Sequence, residues 1–153
     1  MTAYHLAELN IGRIVGDTPD DPRLAEFMAA LDEINALAEA SPGFVWRLQD
    51  DSGNATSITA FNDPRMLLNM SVWESAEALA AFAYKTDHAV FLARRREWFQ
   101  PPDGPDLVLW WVPAGHIPTT SEAKARLDQL ATSGPDPEAF TFRDRFPAPT
   151  PAS

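Results

Sequence analysis

Apolar and polar residues alternate on a two-residue period over 4–14, with Leu6, Glu8 and Asn10 on one face and His5, Ala7, Leu9 and Ile11 on the other. That period predicts a strand. After a turn-rich stretch the spacing changes: Asp21-Pro22 supplies a cap and a first-turn proline, and Leu24, Phe27, Met28, Leu31, Ile34 and Ala38 recur at helical intervals. A helix to about Ala40 follows, stopped by Ser41-Pro42-Gly43. Strands are predicted over 44–48 and 67–73, separated by a long polar segment that holds either a further strand over 57–61 or a flap over 50–66 near a pocket mouth. Ser75 caps a helix through Tyr84, a second helical piece covers 87–99, and the most apolar strand is 107–112. A last helix over 121–131 ends at Ser133-Gly134-Pro135, and a proline-rich tail over 147–153 is expected to be loose.

The order strand, helix, strand, strand, helix, strand is the split pattern of a ferredoxin-like α+β sandwich with an antiparallel sheet, here with an extra C-terminal helix. One domain over 1–146 accounts for it. Both faces of the predicted strands are apolar: Leu68, Met70 and Val72 oppose Leu67, Asn69, Ser71 and Trp73, while Leu107, Leu109 and Trp111 oppose Val108, Trp110 and Val112. With helices on one face only, the other requires a cover, and a second copy of the chain is the simplest one, giving a homodimer through the sheet. On that reading either Trp110 or Trp111 faces the partner.

Composition narrows the function. The net charge of −10 argues against a nucleic-acid partner, which needs a concentrated basic face. The absence of cysteine excludes disulfides, thiolate nucleophiles and cysteine-ligated metals. No stretch has the length of a membrane span and no export signal precedes the first strand, so the expectation is a soluble cytoplasmic protein without a membrane partner. There is no glycine-rich phosphate loop and no paired-histidine metal motif, so no metal site is expected.

Four of the five tryptophans, Trp73, Trp98, Trp110 and Trp111, fall between Val72 and His116, as do His88 and His116. Aromatic walls with a few polar groups suit a pocket for a hydrophobic small molecule. His88, Phe91, Leu92, Arg95 and Phe99 share one helical stripe, which turns the imidazole inward as a candidate acid/base group. Asn10, Asn69 and Ser71 are polar positions on otherwise buried strands and demand partners or bound solvent. Asn35 interrupts the stripe of the first helix and is a candidate for the same cavity. Trp73, Tyr84, Phe91, Arg95 and Trp98 complete the candidate substrate contacts, with His88 and Asn10 as the candidate catalytic pair. Glu8 reads equally well as a pocket group or as a strand-end residue in water, and His116 reads as a structural loop residue.

Val72-Trp73-Glu74-Ser75-Ala76-Glu77-Ala78-Leu79, a strand end entering a helix, resembles the dimeric α/β-barrel superfamily of antibiotic-biosynthesis and haem-degrading monooxygenases. Trp73-Glu74-Ser75, the His88 helix ending in Trp98-Phe99, and the run from Leu109 to Pro118 more closely resemble the domain of unknown function 3291 family. The resemblance implies a dimeric barrel and a monooxygenase-like enzyme acting on an aromatic or polycyclic molecule. It also implies that no cofactor is required, because cofactor-free members bind electron-rich phenolic substrates that react with oxygen themselves. Haem is the secondary expectation: in haem-degrading members a strand-one Asn, a helical Trp and a helical His form the site. Asn10 and His88 match two of these, whereas Trp73 lies at a strand end. The rival reading is a non-catalytic small-molecule or haem-binding protein of the same fold.

Overall fold

The computed structural model describes residues 3–16, 21–49, 66–86, 88–101 and 104–149. Its strands are β1 (Tyr4–Arg13), β2 (Phe44–Arg47), β3 (Met66–Trp73) and β4 (Leu107–Pro113), and its helices are α1 (Ala25–Glu39), α2 (Ala76–Lys85), α3 (His88–Ala93) and α4 (Thr120–Ser133). The strands form one antiparallel sheet in the order β2-β3-β1-β4, which is the ferredoxin-like α+β topology. The supposed strand or flap over 50–66 lies, but for Met66, outside the described residues.

Local signals set most of the boundaries. The Asp21 carboxylate accepts from the Arg23 backbone N–H, and a 3-10 turn over Pro22–Leu24 leads into α1. Ser75 Oγ accepts from Ala78 N at 3.1 Å and starts α2. Thr119 does the same for Glu122 N, so α4 begins earlier than predicted. The helix expected over 87–99 is divided: α3 stops at Ala93 and a 3-10 turn over Arg95–Glu97 follows. The tighter winding buries Trp98 against Phe27 and Phe91, at ring distances of 5.5 and 5.8 Å, and returns the chain to the segment just after β1, where Val15 N donates to Trp98 O at 2.9 Å.

The helices do not share one face of the sheet. Leu6, Trp73 and Leu109 pack against α2 and the end of α1, through Leu79, Phe82 and Ala38. On the opposite face Ala7, Met70, Val72, Val108 and Trp110 pack with Ala123, Leu127 and Leu130 of α4. This corrects the expectation of a face left bare by the chain. Trp110, which could have met a second copy, is fully buried inside the single chain, and its Nε1 donates to Glu122 Oε2 at 2.8 Å. Met70 and Leu9, also on that face, are each 1% exposed. The apolar area expected to lie bare on this face is covered by α4 of the same chain. His116 Nε2 lies 2.7 Å from Glu122 Oε1, so Glu122 ties both the strand and the following loop to α4.

Beyond α4 the chain turns back along the β4 edge, where Leu109 and Phe140 exchange backbone hydrogen bonds of 2.8 and 2.9 Å. Trp111 Nε1 then donates to Phe146 O at 2.9 Å. These contacts pair part of the sheet edge within the chain, leaving less of it open to another strand. No helix among the described residues is long and apolar enough to cross a membrane.

Candidate functional site

The helix-side face of the β1–β3 pair changes character along its length. Leu6 opposite Trp73 belongs to the cluster under α2, and Leu67 opposite Gly12 belongs to a second cluster with Ile14, Leu24 and Trp98. Between them lie two polar pairs, Glu8 with Ser71 and Asn10 with Asn69. Glu8 and Ser71 are buried, at 3% and 7% exposure, but Asn10 and Asn69 are exposed although they sit on central strands of the sheet. Among the described residues, the helical layer therefore leaves a gap above them.

The burial of α1 and α3 fits this description. Leu31, Ile34 and Asn35 of α1 and His88, Phe91 and Leu92 of α3 are only half-buried, although they occupy the inward stripes of their helices. An amphipathic helix seated fully on a sheet would bury such a stripe. Gly12 helps to shape the far wall: a Cβ there would stand 2.5 Å from Phe99 Cδ1, so only glycine lets that ring lie across the strand. Arg94 closes the same end, donating to both Glu26 oxygens at 2.7 and 2.6 Å and to Glu97 while its guanidinium lies 4.9 Å from the Trp98 ring.

At the floor, a directional hydrogen-bond chain runs into the Glu8 carboxyl. Trp73 Nε1 donates to Ser71 Oγ at 2.8 Å, Ser71 Oγ donates to Glu8 Oε1 at 2.7 Å, and Asn10 Nδ2 donates to Glu8 Oε2 at 3.1 Å. Burial disfavours the charged form and pushes the Glu8 carboxyl up to about 7, against the opposing effect of the Ser71 and Asn10 donors. Such a group exchanges its proton near neutral pH and suits acid/base work.

His88 stands one layer away. Its Nδ1 lies 3.1 Å from Ala83 O, and its ring packs 4.8 Å from Phe82, which in turn stacks 5.2 Å from Trp73. Burial holds the imidazole below its usual range, outweighing the Ala83 bond. His88 thus reaches Trp73 through an intervening ring. Of the other candidates, Asn10, Ser71 and Trp73 converge on Glu8, Asn69 pairs with Asn10 across the strands, and Asn35 is half-buried on α1. Phe91 and Trp98 stack in the far wall. Tyr84 is 53% exposed and packs on Phe142, and the exposed Arg95 donates to Leu92 O, so neither joins this group.

Glu8 is the member that sequence reasoning left undecided. Alternation puts it on one face with Leu6 and Asn10, and the structure buries it there at mid-strand, away from water.

Two other hollows lie elsewhere. One of about 340 Å³ is bordered by Ala76, Trp111, Arg145 and Phe146, and one of about 490 Å³ by Pro42, Gly43, Glu74, Phe82 and Lys85. His88 lines neither of them. No cluster of three or more potential metal ligands occurs among the described residues.

The model of the domain of unknown function DUF3291 matches residues 5–153. No curated protein matches the chain. Among solved structures, the chain is similar to SnoaB, a cofactor-independent oxygenase from Streptomyces nogalater, at 16% identity and a TM-score of 0.48 over 75% of this chain and 97% of that one. It is also similar to NE2512, a protein of unknown function from Nitrosomonas europaea, at 15% identity and a TM-score of 0.42 over 78% and 97% of the two chains.

Proposed function

The chain belongs to the DUF3291 family, and we propose that it is a monooxygenase-like enzyme that binds a hydroxylated aromatic small molecule in the gap over Asn10 and Asn69. The observation that carries this reading is an exposed amide pair at the centre of a sheet, next to a buried carboxyl tuned to neutral pH. A flat apolar ring would lie between the half-buried faces of Leu31, Phe91 and Leu92, and its hydroxyl would reach the amides. Apolar area would supply affinity and the amides orientation.

Glu8 would be the proton acceptor. Removing the hydroxyl proton leaves an electron-rich phenolate, the kind of anion that reacts with dioxygen without an added cofactor. Ser71 and Trp73 would hold the carboxyl in place. We assign His88 a supporting role, because burial keeps it neutral and its Nδ1 is engaged by Ala83. The similarity to SnoaB is compatible with this reading and does not carry it.

The test is a panel of hydroxynaphthalenes and hydroxyanthracenes, followed by intrinsic tryptophan fluorescence for binding and by an oxygen electrode for turnover. The expected result is saturable binding with oxygen uptake, both lost in Glu8→Ala. The expected product is a quinone that has gained one oxygen atom and lost two hydrogens, the second oxygen leaving as water with the substrate as the only electron donor. Binding without oxygen uptake would establish a non-catalytic carrier instead, and no binding would overturn the assignment of the gap as a ligand site.

A further inference from the structure

The hydrogen-bond chain at the floor of the gap has one member whose donor and acceptor ends exchange by a simple half-turn. Ser71 is more constrained: its oxygen already accepts from the Trp73 indole, a group that only donates, and its own proton is directed to Glu8 Oε1. Asn10 has no such constraint. Its amide offers a donor and an acceptor at two ends, with one end on Glu8 Oε2 and the side chain exposed to the gap.

A charged carboxylate can only accept, so while Glu8 is ionised Asn10 must present Nδ2 to it and leave Oδ1 toward the gap. When Glu8 takes a proton, Oε1 still faces the Ser71 donor, so the proton belongs on Oε2. An O–H at Oε2 opposes an N–H at 3.1 Å, and the conflict is relieved by a half-turn of the amide. Oδ1 then accepts from Glu8, and Nδ2 points into the gap. We propose that Asn10 is a specificity switch, offering the bound molecule an acceptor while Glu8 is ionised and a donor once Glu8 is protonated.

The inference rests on the proposed reading of the gap and deepens it. The two settings match the two sides of one proton transfer: an acceptor selects a neutral hydroxyl, and the donor that replaces it holds the oxyanion left when the proton has moved to Glu8. Other charges do not confuse the switch. On α3 the titratable group over the site is His88, kept neutral by burial and separated from Glu8 by the Phe82 and Trp73 rings. The acidic residues of α1, Glu26, Asp32, Glu33 and Glu39, are exposed. Phe82 on α2, Leu109 on β4 and Asn69 on β3 carry no charge.

The experiment has two arms. In the first, the side-chain amide signals of Asn10 are followed by nitrogen-15 NMR through neutral pH, assigned by their loss in Asn10→Asp. They should shift with the same midpoint as Glu8 and stay fixed in Glu8→Gln, whose own amide donates to Oδ1 and locks the donor setting. Amide signals that do not respond while Glu8 titrates would overturn the switch. In the second arm, 2,4-dinitrophenolate serves as an anionic probe and 2-naphthol as a neutral one.

Around neutral pH their affinities should move in opposite directions, the anion gaining up to about tenfold per unit as pH falls and the naphthol losing affinity. Both profiles should be flat in Glu8→Gln. A purely coulombic effect of Glu8 would shift the anion and leave the neutral probe unchanged, and that outcome also overturns the switch. If neither probe binds while the amide signals still reverse, the switch holds and the hydroxyaryl reading of the gap falls. The two failures are thereby distinguishable.

Discussion

At the residue scale, the site depends on how a buried carboxyl is kept usable. Because folding raises the Glu8 pKa from 4.5 to about 7, the folded chain binds that proton more tightly than the unfolded chain does. Stability from this residue is therefore greatest below 4.5, falls as pH rises toward 7, and is constant above it, a loss of roughly 3 kcal/mol in all. Glu8→Gln should flatten that part of the curve and raise stability at neutral pH, measured by urea unfolding at a series of pH values. Ser71→Ala should act oppositely: it strands the Trp73 indole N–H and removes a donor to Glu8, costing about 1–3 kcal/mol. Asn10, Ser71 and Trp73 were legible in the sequence because polar residues on apolar strands need partners. Glu8 was legible only as to its face, because alternation does not say whether water reaches a mid-strand carboxyl.

At the scale of elements, periodicity located every described strand and helix, and the deviations arise where tertiary contacts override local pattern. The stripe of His88, Phe91, Leu92, Arg95 and Phe99 supposes one continuous helix. The change to 3-10 winding after Ala93 turns Arg95 outward while Trp98 goes in. The gap itself was not legible, since it depends on how far α1 and α3 stand from the sheet, and residue spacing is silent about that. Filling it should show its nature. Leu31→Trp is expected to leave the thermal midpoint within a few degrees of the parent while abolishing ligand binding, because half-buried positions tolerate added volume that a packed core rejects. A strong loss of stability would mean that Leu31 sits in a closed core.

At the scale of the whole molecule, α4 has the largest consequence. The sequence showed two apolar sheet faces, and the inference that one must be covered was sound, yet pattern alone could not say whether the cover comes from the same chain or from another. Met70→Asp discriminates between them: on a face sealed by α4 it buries an unpaired charge and should unfold the chain, whereas at an interface between copies it would release folded monomers. Calorimetry together with sedimentation reads both outcomes. The charge of −10 adds a constraint on the ligand, because an acidic molecule repels anions over distances near the Debye length of about 8 Å. A neutral hydroxyl compound is thus the form that arrives most readily, and proton removal would follow within the gap. Ligand binding, proton removal and the Asn10 switch all depend on the protonation of Glu8. The most direct measurement is a carbon-13 NMR titration of its side-chain carboxyl in the folded protein. A midpoint near 7 is the predicted result, and a midpoint in the ordinary range around 4.5 would contradict it by showing a carboxyl that water reaches freely.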